Sequence, residues 1–389
     1  MMMDGDRPGA VALASAKEGR LRSALPSGPA LFVRPGGRDR LDLRDDGLPA
    51  DVERSLMNLR GGPDVWILGT YLRLRRKGLD VELANDFRAG ALCIAHRDDV
   101  RRSVSTLWRS FIVSVRADRE RTFTCDLEIV QSPASIETPN AFYILHWPQP
   151  GLRPRDPSRG TRLERLGYFG ELKNLAAGYR DPHFLSELAA SGVELVVRDD
   201  PAEWGDYSDI DMVLAVRDGT PRFLAAKPAT KLFNAWLAGC PAFVGNEPAF
   251  FHHQNSDLDF IPVGSPAEVL AQLRRLRENP ALFQQLIERA QLRAADVTED
   301  RVVEQWVGFI GFVAAPLHAA WAARAGPGRR LGAQMALGWG LFRASLRRST
   351  QQRGFDLHGN AVAVDASPLR RMAWALDGLI SRFERGKVQ

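Results

Sequence analysis

The sequence is poor in the features that would class it quickly. Its 389 residues contain three cysteines, Cys93, Cys125 and Cys240, far apart and odd in number. That excludes a disulfide framework and suits a reducing compartment. No Cys/His pairing has the spacing of a zinc site, so no structural metal is expected. The N-terminus, MMMDGDRPGAVALASAKEGR, has early acidic residues and no apolar core, which argues against a secretory signal. The one long apolar run, Trp306 to Ala323, is interrupted by Gly308, Gly311, Pro316 and His318 and reads poorly as a membrane span. Neither an internal repeat nor a low-complexity tract is present.

What remains is an ordinary globular composition, 45% hydrophobic and 25% charged, in a chain long enough for two domains and an appendage. The net charge of +5 is unevenly placed: Trp321 to Gln389 holds 12 Lys/Arg against 4 Asp/Glu, leaving −3 for the rest. Basic character therefore belongs to the C-terminal segment and bears on partners more than on fold.

From about residue 30 to 144, short apolar runs alternate with helical patterns. Strands are predicted at LFV (31–33), LDVELA (79–84), ALCIAH (91–96), FIVSVRA (111–117) and LEIVQS (127–132), with a helix at PDVWILGTYLRLRRKG (63–78). HWPQPGLRPRDPSRGTR (146–162) then places four prolines and two glycines in 17 residues. Proline lacks a donor and fixes φ, so this stretch is a domain boundary. Beyond it the alternation resumes: strands at RLGYFG (165–170), VELVVRD (193–199), DIDMVLAVRD (209–218), PAFVG (241–245) and LDFIPVG (258–264), and helices including Lys231 to Gly239 and Ser265 to Asn279. Such alternation implies parallel sheets with covered faces, and ligands then bind outside the carboxyl ends of the strands. The expected division is a flexible tail (1–28), a first Rossmann-like domain (29–150), a second Rossmann-like domain (151–315) and a basic helical extension (316–389).

The segment AAKPATKLFNAWLAGCPAFVGNEPAFFHHQ (225–254) reads as loop, helix, turn, strand and loop. Thr230 is the expected N-cap, and Gly239 with Pro241 ends the helix. A helix N-terminus flanked by Lys227 and Lys231 favours an anion, and Glu247 beyond the next strand suits hydroxyl groups. Any α/β domain contains such a helix, however, and its lysines are as readily mere solvated surface.

LFNAWLAGCPAFVGNEPAF resembles the donor-binding region of glycosyltransferases of the GT-B fold, with its helix, small-Gly-Pro turn, strand and acidic loop. YFGELKNLA (168–176) is similar to the first strand-loop-helix of the same domain, and HWPQPGLRPRDP to the interdomain crossover of related bacterial enzymes. The similarity spans about residues 60 to 300 and is strongest from 165 to 250. It implies two Rossmann-like domains facing across a cleft, resembling the family 1 and family 4 groups. The implied reaction is transfer of a hexose-type sugar from a nucleoside-diphosphate sugar to a glycan, lipid-linked or other hydroxyl acceptor in polysaccharide or glycoconjugate synthesis. The large retaining family carries two glutamates separated by seven residues; here Ala226 and Asn234 stand in those places, so the stereochemistry stays open. The alternative is a non-catalytic glycan- or partner-binding protein of the same fold.

Donor-binding candidates are Tyr168, Gly170, Arg198, Lys227, Thr230, Lys231, Asn234 and Glu247, with Tyr168 able to stack on a base and Arg198 to reach a phosphate. A general base is sought in HRDD at a strand end: His96, Asp98 or Asp99, with His146 as a further option. An acidic residue capping the following helix explains Asp98 or Asp99 equally well. Asp209 and Asp211 have DxD spacing but open an apolar strand and read as caps. Metal is not expected, since a helix dipole and basic side chains hold the leaving diphosphate; no other cofactor and no nucleic-acid partner is implied. Leu331, Met335, Trp339, Phe342 and Leu346 fall on one helical face flanked by arginines. Residues 324–348 thus suit either an anionic membrane surface or packing across the two domains, and the expected location is cytoplasmic or peripheral on the inner membrane face.

Overall fold

The computed structural model describes residues 29–102, 109–119, 121, 125–323 and the isolated positions 335 and 339. The tail (1–28) and nearly all of the basic segment 324–348 lie outside the described residues.

Among the described residues, eleven strands form two wholly parallel sheets. The first contains β1 (Ala30–Val33), β2 (Val81–Ala84), β3 (Leu92–His96), β4 (Phe111–Ala117), β5 (Leu127–Val130) and β6 (Ala141–Tyr143), in the order β2-β1-β3-β4-β5-β6. The second contains β7 (Arg165–Phe169), β8 (Glu194–Arg198), β9 (Met212–Ala215), β10 (Ala242–Val244) and β11 (Ile261–Pro262), in the order β11-β10-β9-β7-β8. Strands β1, β3, β4 and β5 are buried along their whole length, which explains their unbroken apolar runs. Each sheet reverses its winding once, between β1 and β3 and between β7 and β9. These switch points put Arg34, His96, Gly170 and Arg217 at or just past strand carboxyl ends, where α/β sheets bind ligands.

The Pro-rich stretch 146–162 lies between β6 of the first sheet and β7 of the second, and buried polar bonds fix it. Asp211, fully buried, receives Arg159 Nε at 2.6 Å, Arg155 Nη2 at 3.3 Å and the backbone amides of Glu164 and Arg165 at 2.8 and 3.0 Å. Asp209 pairs with Arg198 and Arg165. Both carboxylates of the DxD spacing are thus engaged by arginines.

The helix expected at 63–78 runs as Gly61–Pro63, a π turn at Asp64–Leu68, and Gly69–Arg76. β6 and the Val52–Asn58 helix were not foreseen; both are short, and their apolar residues too few to show a period. The stretch after β7 forms two 3-10 turns, Leu172–Asn174 and Ala177–Arg180.

The apolar run near the C-terminus is helical, from Glu299–Phe309 through a π turn at Ile310–Ala314 to Ala315–Ala322. It recrosses to the first sheet. Trp306 packs against Phe32 and Trp66, Phe309 against Phe142, and His318 bonds the Gly90 carbonyl at 2.7 Å. Glu299 meets Arg73 at 2.8 Å. By composition this helical run is apolar enough to cross a membrane, yet more than half of its apolar window is buried in the protein.

Candidate active site

A cleft of about 670 Å³ separates the two sheets, a volume suited to a small-molecule substrate. The second domain contributes Tyr168, Gly170, Lys227, Thr230, Lys231 and Asn234 to its wall. The first contributes His96 and the start of the Gly61 helix, with Asp118 and Arg119 just after β4.

The turn after β7 is built around one close approach. Gly170 has φ 135°, a conformation open to glycine, and a Cβ there would lie 2.7 Å from Lys231 Nζ. The Lys231 ammonium donates to the Phe169 carbonyl and stands 4.7 Å over the Tyr168 ring. Burial, with Arg217 nearby, pulls its pKa down to about 7, against the attraction of Glu247. We expect Gly170→Ala to displace Lys231 and to cost about 1–3 kcal/mol in backbone strain. Thermal unfolding checks this; an unchanged midpoint contradicts the close approach.

Arg217, just past β9, lies on the cleft wall and is held from behind by Glu247, Nε to Oε1 at 2.8 Å. Glu247 is almost wholly buried, and its Oε2 has no partner. Burial pushes its pKa up, although Arg217, Lys231 and Lys227 oppose that. The three cations therefore gather around one carboxylate. Glu247 was expected to meet hydroxyl groups at the rim; instead it positions Arg217, which stands between it and the cleft.

Several other expectations are corrected. Thr230 is the first helical residue, because Phe233 already bonds the Ala229 carbonyl; Ala229 is the N-cap, and no side chain caps the helix. The Thr230 hydroxyl is left without a partner on the cleft wall. Arg198 is not on that wall: it pairs with Asp209 at 2.9 Å. Tyr168 is fully buried beneath Lys231, which removes it as a stacking platform, and burial raises its pKa to about 12. Half-buried Trp204, on the same wall with an unpartnered indole N–H, is the better-placed aromatic surface. Asn234 accepts the backbone amide of Gln149 at 3.1 Å and so fastens the linker.

On the opposite wall, Asp99 is buried and clasped by Arg34, whose Nη1 lies 3.1 Å from both carboxylate oxygens. That removes it from the reaction space. Asp98 is turned toward Arg97 and Arg119 and does not line the cleft. His96 does. Its Nδ1 accepts the Asp98 amide at 3.2 Å, and burial, with Arg119 and Arg34 nearby, lowers its pKa to about 4 despite Asp98. The neutral ring therefore carries its proton on Nε2, facing Gly62, and presents a donor instead of the lone pair a base needs. His146 is the reverse case. Nδ1 reaches the Trp147 carbonyl at 2.8 Å and must hold the proton, leaving Nε2 as an acceptor.

Sequence reasoning missed Asp118, Arg217, Trp204 and the Gly61–Gly62 turn. A signal existed for two of them. Asp118 and Arg217 each follow directly on a buried strand run at its carboxyl end, but Arg116 and Asp218 beside them carry the same signal. In the structure β4 breaks register between Val115 and Ala117, and Ala117 has φ 53°, which turns Asp118 to the cleft.

No protein-family model matches the sequence, and no curated protein matches it. Among solved structures the chain is similar to Anabaena HepE in complex with UDP, at 13% identity and TM-score 0.45, over 72% of this chain and 99% of that one. AviGT4, a glycosyltransferase of avilamycin A biosynthesis, gives 13% and 0.46 over 74% and 98%. Sucrose-phosphate synthase from Thermosynechococcus elongatus gives 12% and 0.46 over 75% and 100%. The chain's own architecture, two Rossmann-like sheets facing across a cleft with a C-terminal helix recrossing to the first, is of the GT-B type.

Proposed function

We propose that the protein is a glycosyltransferase that moves a hexose-type sugar from a nucleoside-diphosphate sugar to a hydroxyl acceptor. The observation that carries this reading is the gathering of Lys227, Lys231 and Arg217 at the switch point of the second sheet, facing the first domain across the cleft. Such an arrangement stabilises the charge that develops on a departing diphosphate. The Gly170 turn, having no side chain, lets the Lys231 ammonium sit close against the backbone beside the helix that starts at Thr230. No metal is needed for this role of the three cations. On the acceptor side, His96 donates, while His146 and Asp118 accept.

We further propose a glycan or lipid-linked acceptor and a peripheral cytoplasmic site on an anionic membrane. The support is the run of basic residues in 324–348 after a helix that exposes Phe312 and Leu317. Calorimetric titration with UDP- and GDP-sugars tests the central claim. Micromolar binding of one of them is expected, and failure of both to bind overturns it.

A further inference from the structure

The donor-site reading assigns Lys227 to the diphosphate, yet in the structure Lys227 is engaged elsewhere. Its Nζ lies 2.6 Å from Asp118 Oδ2, a bridge between the two domains across the cleft. Both side chains line the cavity, with 14% of the lysine and 30% of the aspartate exposed. Phe223 supports the ammonium from behind, 4.2 Å from the ring centre. Burial would raise the Asp118 pKa, but the bond to Lys227 and the charges of Lys227 and Arg119 outweigh it, and the net shift is downward. The cleft is thus largely balanced within itself. Glu247 holds Arg217, Asp118 holds Lys227, and Lys231, with its pKa lowered to about 7, carries about half a charge at pH 7.

A diphosphate diester brings two negative charges into this balance and draws cations to itself. Arg217 cannot leave Glu247 without stranding a buried carboxylate, which is costly. Asp118 is less buried and pays less for release. Resting on the donor-site reading, we propose that Lys227 is shared: Asp118 holds it in the empty cleft, and the donor's diphosphate takes it over. Donor binding thereby frees a carboxylate on the acceptor wall, placed to accept the hydrogen bond of an incoming hydroxyl. The acceptor subsite is completed only when the donor is in place, so the two substrates bind in order.

The test is a calorimetric cycle on the full chain with UDP and with inorganic pyrophosphate as probes. Asp118→Asn removes the competitor, and its affinity for both probes should rise about tenfold, the size of one charge-assisted hydrogen bond. Asp118→Ala should shift it in the same direction. Lys227→Met should weaken both probes about tenfold, and adding Asp118→Asn to it should change nothing more. Affinity unchanged or reduced in both Asp118 variants overturns the proposal. So does an equal gain in the Lys227→Met background, which would show a general charge effect instead of competition for one lysine. Should neither probe bind the wild-type protein, the donor-site reading itself falls and the shared lysine with it; binding indifferent to Asp118 overturns the sharing alone.

Discussion

Replacing Lys231 by methionine should lower the affinity for a UDP- or GDP-sugar by about ten- to a hundredfold and remove the pH dependence of binding. The magnitude is that of a charge-assisted hydrogen bond, about 1.5–3 kcal/mol, at about 1.4 kcal/mol per decade. The pH dependence follows from the Lys231 pKa of about 7 in the empty protein. Below that value the ammonium is already charged. Above it, a bound diphosphate must bring a proton with it, so wild-type affinity falls as pH rises from 7 to 9. Methionine has no proton to take up, and its profile over that range should be flat. Stability moves the other way. The unfolded lysine keeps its proton up to about 10.4 while the folded one loses it near 7, so wild-type stability rises with pH between those values. Titration calorimetry in buffers of different ionisation enthalpy reads the proton uptake directly. An unchanged affinity in the variant would remove Lys231 from the donor site.

The second large effect is expected at Asp211. Asp211→Ala takes away the common partner of Arg155, Arg159 and two backbone amides inside the interdomain linker. Leaving buried guanidinium groups uncompensated should cost about 3–5 kcal/mol, read as a lower melting temperature or denaturant midpoint. Burial alone would raise the Asp211 pKa, but Arg159 and the amides of Glu164 and Arg165 prevail and lower it. The contribution is therefore present above the ordinary aspartate value of about 3.9 and is lost as the pH falls through the depressed folded value. A variant as stable as the wild type would show the linker to be held by other contacts.

How far the sequence could lead was set by what each signal depends on. Buried parallel strands announce themselves, because each must be apolar on both faces: FIVSVRA and MVLA are visible as runs wherever they stand. The Pro-rich linker is equally visible, since proline excludes regular structure for local reasons. The helix expected over Lys231 to Gly239, and found at Thr230–Leu237, was legible in its end because Gly239 and Pro241 constrain the turn there, while its cap was not. The facing wall of the cleft was not. Whether Asp99, Asp98 or Asp118 faces the cleft depends on Arg34, distant in sequence, clasping the first, and on a register break in β4 turning the last. Glu247 and Arg198 were misjudged for a related reason. Their partners, Arg217 and Asp209, flank another strand, β9, and a charged residue at a strand end looks the same in sequence whether it meets a ligand or another side chain.

The recrossing helix has a mechanical consequence. The chain passes between the domains twice, once through the linker around Arg155 and once just before Glu299, where it returns to Arg73. A single connection would leave the domains free to twist and slide; two act like the pins of a door. The softest motion left is then rotation about the line through both crossings. Along that one swing the walls carrying Lys227 and Asp118 approach or part together, and lateral sliding of one wall past the other is restrained by the path of the backbone itself.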